Sequence, residues 1–173
     1  MISTAAGIDS LMLNLTQEIQ VHATLETTFA ALLEQLGPAN DTPDGRPMPM
    51  KIEPWPGGRW FRDLGEGNGH FWGVVQAIKR PTLIEITGPL FMSYPVVSNV
   101  QYRLTEENGV TLIKFHHMAL GLIPDNDKQG WRKAGPISLV VSKHGLRRAD
   151  RTRLERERVR RSPCVQHASR AQH

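Results

Sequence analysis

VSNVQYRLTEENGVTLIKFHHMA, running from Val97 to Ala119, is the stretch that decides the fold. Two runs rich in β-branched and aromatic residues, Val97 to Thr105 and Val110 to Ala119, flank Glu106-Glu107-Asn108-Gly109. Asn-Gly accepts the left-handed backbone that a tight hairpin turn requires, so the stretch predicts two antiparallel strands. Successive side chains of a strand point to opposite faces. Ile113, Phe115, His117 and Ala119 therefore share one face, and Lys114 and His116 the other. Lysine prefers water, which turns Lys114 outward and His117 inward. On the partner strand Val100, Tyr102 and Leu104 form the matching apolar face.

Working back toward the N-terminus, Leu83 to Thr87 and His70 to Lys79 read as strands joined by a turn at Arg80-Pro81. Gly58 to Leu64 and a short Met50 to Trp55 precede them, with a flexible turn at Gly65, Gly67 and Gly69. Asn40 to Pro49 is a loop. Leu25, Phe29, Leu32, Leu33 and Leu36 recur at helical spacing, with Thr24 placed to cap the helix and Gly37-Pro38 to stop it. Leu15 to Ala23 alternates and reads as a half-buried strand. Toward the C-terminus Asp125 can cap a helix through Trp131. A strand, a helix, a meander of strands and a final helix make an α+β fold with an antiparallel sheet. One face of such a sheet needs a cover, and the C-terminal helix is the candidate. The expected organisation is an N-terminal extension over residues 1–14, one domain over 15–134 and a separate tail over 135–173.

Four motifs in this order carry a family resemblance. Trp55-Pro56-Gly57-Gly58-Arg59-Trp60, Phe71-Trp72-Gly73-Val74-Val75 with Arg80-Pro81-Thr82-Leu83-Ile84, Thr111-Leu112-Ile113-Lys114-Phe115-His116-His117, and Gly130-Trp131 resemble the START-like SRPBCC superfamily. Within it the chain looks closest to the group named after the activator of the heat-shock-protein-90 ATPase. The resemblance implies a helix-grip fold, similar to that of the birch pollen allergens, in which the sheet wraps on the C-terminal helix around an apolar cavity. Polyketide cyclases and lipid carriers share the fold, so it narrows function only weakly.

For this chain the resemblance implies a cavity lined by Trp60, Trp72, Phe91, Tyr94, Val100, Tyr102, Ile113, Phe115 and His117. Trp60 and Trp72 serve equally well as core, and His117 and Tyr102 as a buried pair satisfied by backbone or water. The leading expectation is binding of a small hydrophobic molecule, without established catalysis and without a cofactor. One alternative is a heat-shock-protein-90 co-chaperone-like interaction module. Another is a cyclase- or hydrolase-like enzyme using His117 with Tyr102 or Glu85.

Other chemistry is read as absent. Gly65-Glu66-Gly67-Asn68-Gly69 joins two strands and opens no helix, so it is a turn and not a phosphate loop. Asp125-Asn126-Asp127 begins like a calcium loop, but Pro136 stands where the bidentate Glu is needed. His116 and His117 point to opposite faces, and no metal site is expected. The single Cys164 excludes an internal disulfide and suits a reducing, cytoplasmic setting. Met1 to Asn14 lacks the basic start of a signal peptide, and no apolar run spans a membrane.

Charge is divided along the chain. Up to Ala134 there are 11 Lys and Arg against 14 Asp and Glu, a balance of −3; from Gly135 there are 10 against 3, a balance of +7. The basic character belongs to the tail, and nucleic-acid binding is not expected of the domain. The final helix meets Gly135-Pro136 almost at once, so the grip helix reads as truncated or broken. Three readings fit the tail: a solvated disordered end, an electrostatic arm for nucleic acid or an acidic partner, or a change of reading frame near Ala134.

Overall fold

In the computed structural model the described residues are 7–42, 45–90 and 94–134. Phe91 and the tail over 135–173 lie outside them, and so do the three readings of that tail.

The hairpin is built as its sequence demands. Strands β6 (Val96–Glu107) and β7 (Val110–Gly121) meet at a turn in which Asn108 and Gly109 adopt φ of 53° and 77°. Both are left-handed, which matches the twist of the two strands. The register sets Val100 opposite His117, Tyr102 opposite Phe115 and Leu104 opposite Ile113. These six are buried on one face, while Arg103 and Lys114 are exposed on the other.

β1 (Met12–Val21) adds to the far side of β7, with Leu15 opposite His117. It starts three residues before the expected Leu15, and a short helix, α1 (Ile8–Leu11), precedes it. The boundary placed at Leu15 therefore falls inside a strand. β5 (Leu83–Gly88), β4 (Asn68–Lys79), β3 (Arg59–Gly65) and β2 (Lys51–Ile52) continue from β6. The result is a seven-stranded antiparallel sheet in the order β1-β7-β6-β5-β4-β3-β2. The glycine-rich run is the β3–β4 turn, with Glu66 and Gly67 both left-handed, so β4 begins at Asn68 and not at His70. In the Gly57-Gly58 pair, Gly57 has φ 83° and a Cβ on Gly58 would lie 2.0 Å from the Glu53 carbonyl oxygen. Only glycine fits the second position without moving the backbone.

α2 (Leu25–Leu36) starts where Thr24 caps it, the Thr27 N–H donating to Thr24 Oγ1. A second anchor comes from the hairpin tip: the Leu25 N–H donates to Glu106 Oε2 at 2.6 Å. A carboxylate there complements the positive end of the helix, worth about 0.3–1 kcal/mol at an exposed site. The other end is held by β3, whose Trp60 indole N–H donates to the Leu36 carbonyl at 2.6 Å. α3 (Asp125–Ala134) follows β7 and is longer than the stretch through Trp131 read from the sequence.

Trp60 and Leu36 are both fully buried. Trp60→Phe removes the donor, leaves the Leu36 carbonyl without it and shrinks a packed side chain. The expected loss is about 2–4 kcal/mol. Leu64→Ala, at an exposed position of the same strand, should change stability by less than about 0.5 kcal/mol. Urea unfolding of both variants checks this, and equal midpoints would show that Trp60 does not pin α2.

Candidate functional site

The pairing of β5, β6 and β7 gathers most of the candidate residues on the covered side of the sheet. Val100, Tyr102, Ile113, Phe115 and His117 are all buried there, with Ile84 opposite Tyr102 and Ile86 opposite Val100. The rings form a short chain: Tyr102 to Phe115 at 5.0 Å between centroids, then Phe115 to His117 at 6.5 Å.

Trp60 and Trp72 form a second group. Trp60 faces Gly73, and the register between β3 and β4 then slips so that Phe61 faces Phe71. Trp72 is the extra residue of that irregularity. Bulges re-aim side chains, and here the Trp72 ring lies edge-on to Trp60 at 4.9 Å.

Two candidates stand elsewhere. The expected pairing of Glu85 with His117 does not form, because the strands set the two side chains on opposite faces of the sheet. Ile84 and Ile86 are buried on the covered face, so Glu85 between them points to the other one, where its Oε1 accepts from Asn99 Nδ2 at 2.7 Å. Tyr94 is half-buried in the connection before β6, and its hydroxyl donates to Asp127 of α3. Lys128 ties the same helix to α1 by donating to the Ser10 carbonyl. Side chains on both sides thus hold the start of α3 in place.

His117 and Tyr102 are 1% exposed, yet they are satisfied differently. His117 Nε2 and Ser98 Oγ are 3.2 Å apart and share a hydrogen bond. The pattern of the strand could have revealed Ser98, because it precedes Val100 by two residues and so shares its face. Burial, with a smaller contribution from neighbouring His116, lowers the His117 pKa to about 4. The imidazole is therefore neutral at physiological pH. Among the described residues the Tyr102 hydroxyl has no hydrogen-bond partner. Burial pushes its pKa well above the usual phenol value, so it stays a donor. Chemically, the neighbourhood of Tyr102 on β5, β6 and β7 offers one neutral imidazole bonded to Ser98 and one hydroxyl donor without a partner among the described residues.

The outer face separates the histidines as expected. His116 Nε2 is 2.8 Å from Asn14 Oδ1, and Lys114 pairs with Glu18 at 3.4 Å. Met12, Leu120 and Val97 lie side by side there on adjacent strands and are exposed. Among the described residues no three His, Cys, Asp or Glu side chains are grouped to hold a metal. No helix among them is long and apolar enough to cross a membrane.

No family model matches the sequence, and no curated protein matches it. Solved structures do. The di-domain ARO/CYC StfQ from the steffimycin biosynthetic pathway aligns with a TM-score of 0.56 at 12% identity, over 87% of this chain and 53% of that one. The chain thus spans about half the length of StfQ. Ara h 8.0201 aligns with a TM-score of 0.53 at 14% identity, over 83% of this chain and 99% of the other. Protein NE0264 from Nitrosomonas europaea gives 0.53 at 15% identity, over 82% and 96%. At these identities the likeness shows the fold alone, and that fold is the helix grip expected from the sequence.

The His117 pKa fixes a pH dependence. It is 6.5 in the unfolded chain and about 4 in the fold. Between these values the unfolded chain binds the extra proton, so stability is complete above pH 6.5 and falls as pH drops toward 4. The loss is about 3 kcal/mol. His117→Gln keeps a partner for Ser98 and does not titrate. Urea unfolding from pH 7.5 down to 4.5 should show a steeper decline in the wild type than in this variant, and parallel curves would rule out a buried neutral His117.

Proposed function

We propose that the covered face of the sheet binds a small hydrophobic molecule. The observation that carries this is Tyr102, a buried hydroxyl with no partner among the described residues. Leaving a hydroxyl unpaired in an apolar interior costs about 1–3 kcal/mol, and native proteins rarely tolerate it without a ligand or ordered water. Its surroundings are apolar: Ile84 and Phe115 face it from the adjacent strands, and Val100 and Leu104 lie on either side along its own. A ligand burying about 250 Å² of apolar surface here would gain roughly 6 kcal/mol, which puts its dissociation constant in the micromolar range or somewhat weaker. StfQ and Ara h 8.0201 share the fold, which supports this reading at the level of architecture. A cyclase- or hydrolase-like use of the face would draw on His117 as base and Tyr102 as donor, and it has the same first requirement of a bound ligand.

Native mass spectrometry of gently purified protein should show an added mass of a few hundred daltons that is lost on denaturation. The stripped protein should then take up Nile red saturably, with micromolar affinity. A folded protein that carries no added mass and does not bind Nile red would overturn the reading.

A second reading, a heat-shock-protein-90 co-chaperone-like interaction module, would use the exposed row Met12, Leu120 and Val97. On that reading the protein changes the chaperone's ATPase rate, and Val97→Glu with Leu120→Lys abolishes the effect. An unchanged rate at saturating protein removes it.

A further inference from the structure

The polar content of the covered face restricts the chemistry of what it can hold. Tyr102 is a donor in search of an acceptor. The residues set opposite it, Ile84 and Phe115, have no polar side-chain atoms, and neither do Val100 and Leu104 on its own strand. The nearest polar pair on the face is His117 with Ser98, and those two already bond to each other. Tyr102 and His117 are diagonal neighbours across β6 and β7, a spacing of about 7–8 Å between Cα atoms.

Among the described residues, strands β1, β5, β6 and β7 also bring no charge to the face around Tyr102. From Val96 to Leu104 on β6 and from Ile113 to Ala119 on β7, no Asp, Glu, Lys or Arg points to the covered side; Arg103 and Lys114 face out. β5 presents Ile84 and Ile86, and β1 presents Leu13, Leu15, Gln17, Ile19 and Val21. Lys128 has a largely buried side chain but is taken by the Ser10 carbonyl and lies 3.5 Å from Asp125. Burial lowers the His117 pKa to about 4, so it supplies no positive charge at neutral pH. A carboxylate or an ammonium group placed here would be stripped of water with no opposite charge on these strands beside it, which is strongly unfavourable. A neutral carbonyl loses far less hydration than an ion, and the Tyr102 hydrogen bond offsets that loss.

We infer that the ligand is an uncharged molecule bearing an accepting oxygen, of the ketone, ester or lactone class, and that Tyr102 is the residue that selects for it. This rests on the ligand-binding reading above and narrows it.

Three probes of one shape separate the two: 2-acetylnaphthalene, 2-ethylnaphthalene and 2-naphthoate, each titrated at pH 7.5 into the full chain and followed by tryptophan quenching. The ketone should bind about tenfold more tightly than the ethyl compound, and the anion most weakly. In Tyr102→Phe the ethyl compound should keep its affinity and the ketone should lose its advantage. The variant removes one hydroxyl that has no partner, so its thermal midpoint should equal or exceed that of the wild type. If the ethyl compound binds but the ketone binds no better, or keeps its advantage in Tyr102→Phe, the inference is overturned and ligand binding stands. Tightest binding of 2-naphthoate overturns it as well. Binding of none of the three removes the ligand-binding reading and the inference together.

Discussion

The register of the β6–β7 hairpin is the constraint on which the rest of the structure depends. The Asn108-Gly109 turn sets Tyr102 opposite Phe115 and Val100 opposite His117. A slip of one residue on either strand would turn that strand's side chains to the opposite face. It would place Arg103 or Lys114 inside and expose the apolar set, at a cost far above the stability of a small domain. β1 takes its alignment from β7, and β5 from β6. The residues that β6 and β7 bring to the covered face therefore follow from one two-residue turn.

The low polarity of that face acts on its two titratable residues in opposite chemical senses for one reason. Burial disfavours the charged form of any group. It prevents His117 from gaining a proton and Tyr102 from losing one. The outcome, among the described residues, is an uncharged stretch of sheet with a fixed hydroxyl donor. Ser98 completes His117, and among the described residues no group completes Tyr102.

The helices are held by side chains that come from far along the chain. Trp60 reaches Leu36 over 24 residues, Tyr94 reaches Asp127 over 33, Glu106 reaches Leu25 over 81, and Lys128 reaches Ser10 over 118. Each satisfies a helix end or fixes a helix against the sheet. No periodicity or local motif can show bonds of such separation, because the two partners carry no pattern in common. The Thr24 cap, whose partner Thr27 is three residues away, was legible for the opposite reason.

The same division runs through the candidate site. The sequence by itself determined the strand faces, the hairpin turns, the α+β order and the inward direction of Tyr102, Phe115 and His117, since alternation and turn chemistry are properties of neighbouring residues. Only the tertiary structure decided that Glu85 lies on the far face from His117, because that depends on Ile84 pairing with Tyr102. The irregular register of β3 and β4, which brings Trp72 onto Trp60, also had to be seen in three dimensions. So did the contrast between a bonded His117 and an unbonded Tyr102. Whether a buried polar group finds a partner depends on everything the fold brings within about 3 Å of it, and a linear pattern does not contain that information.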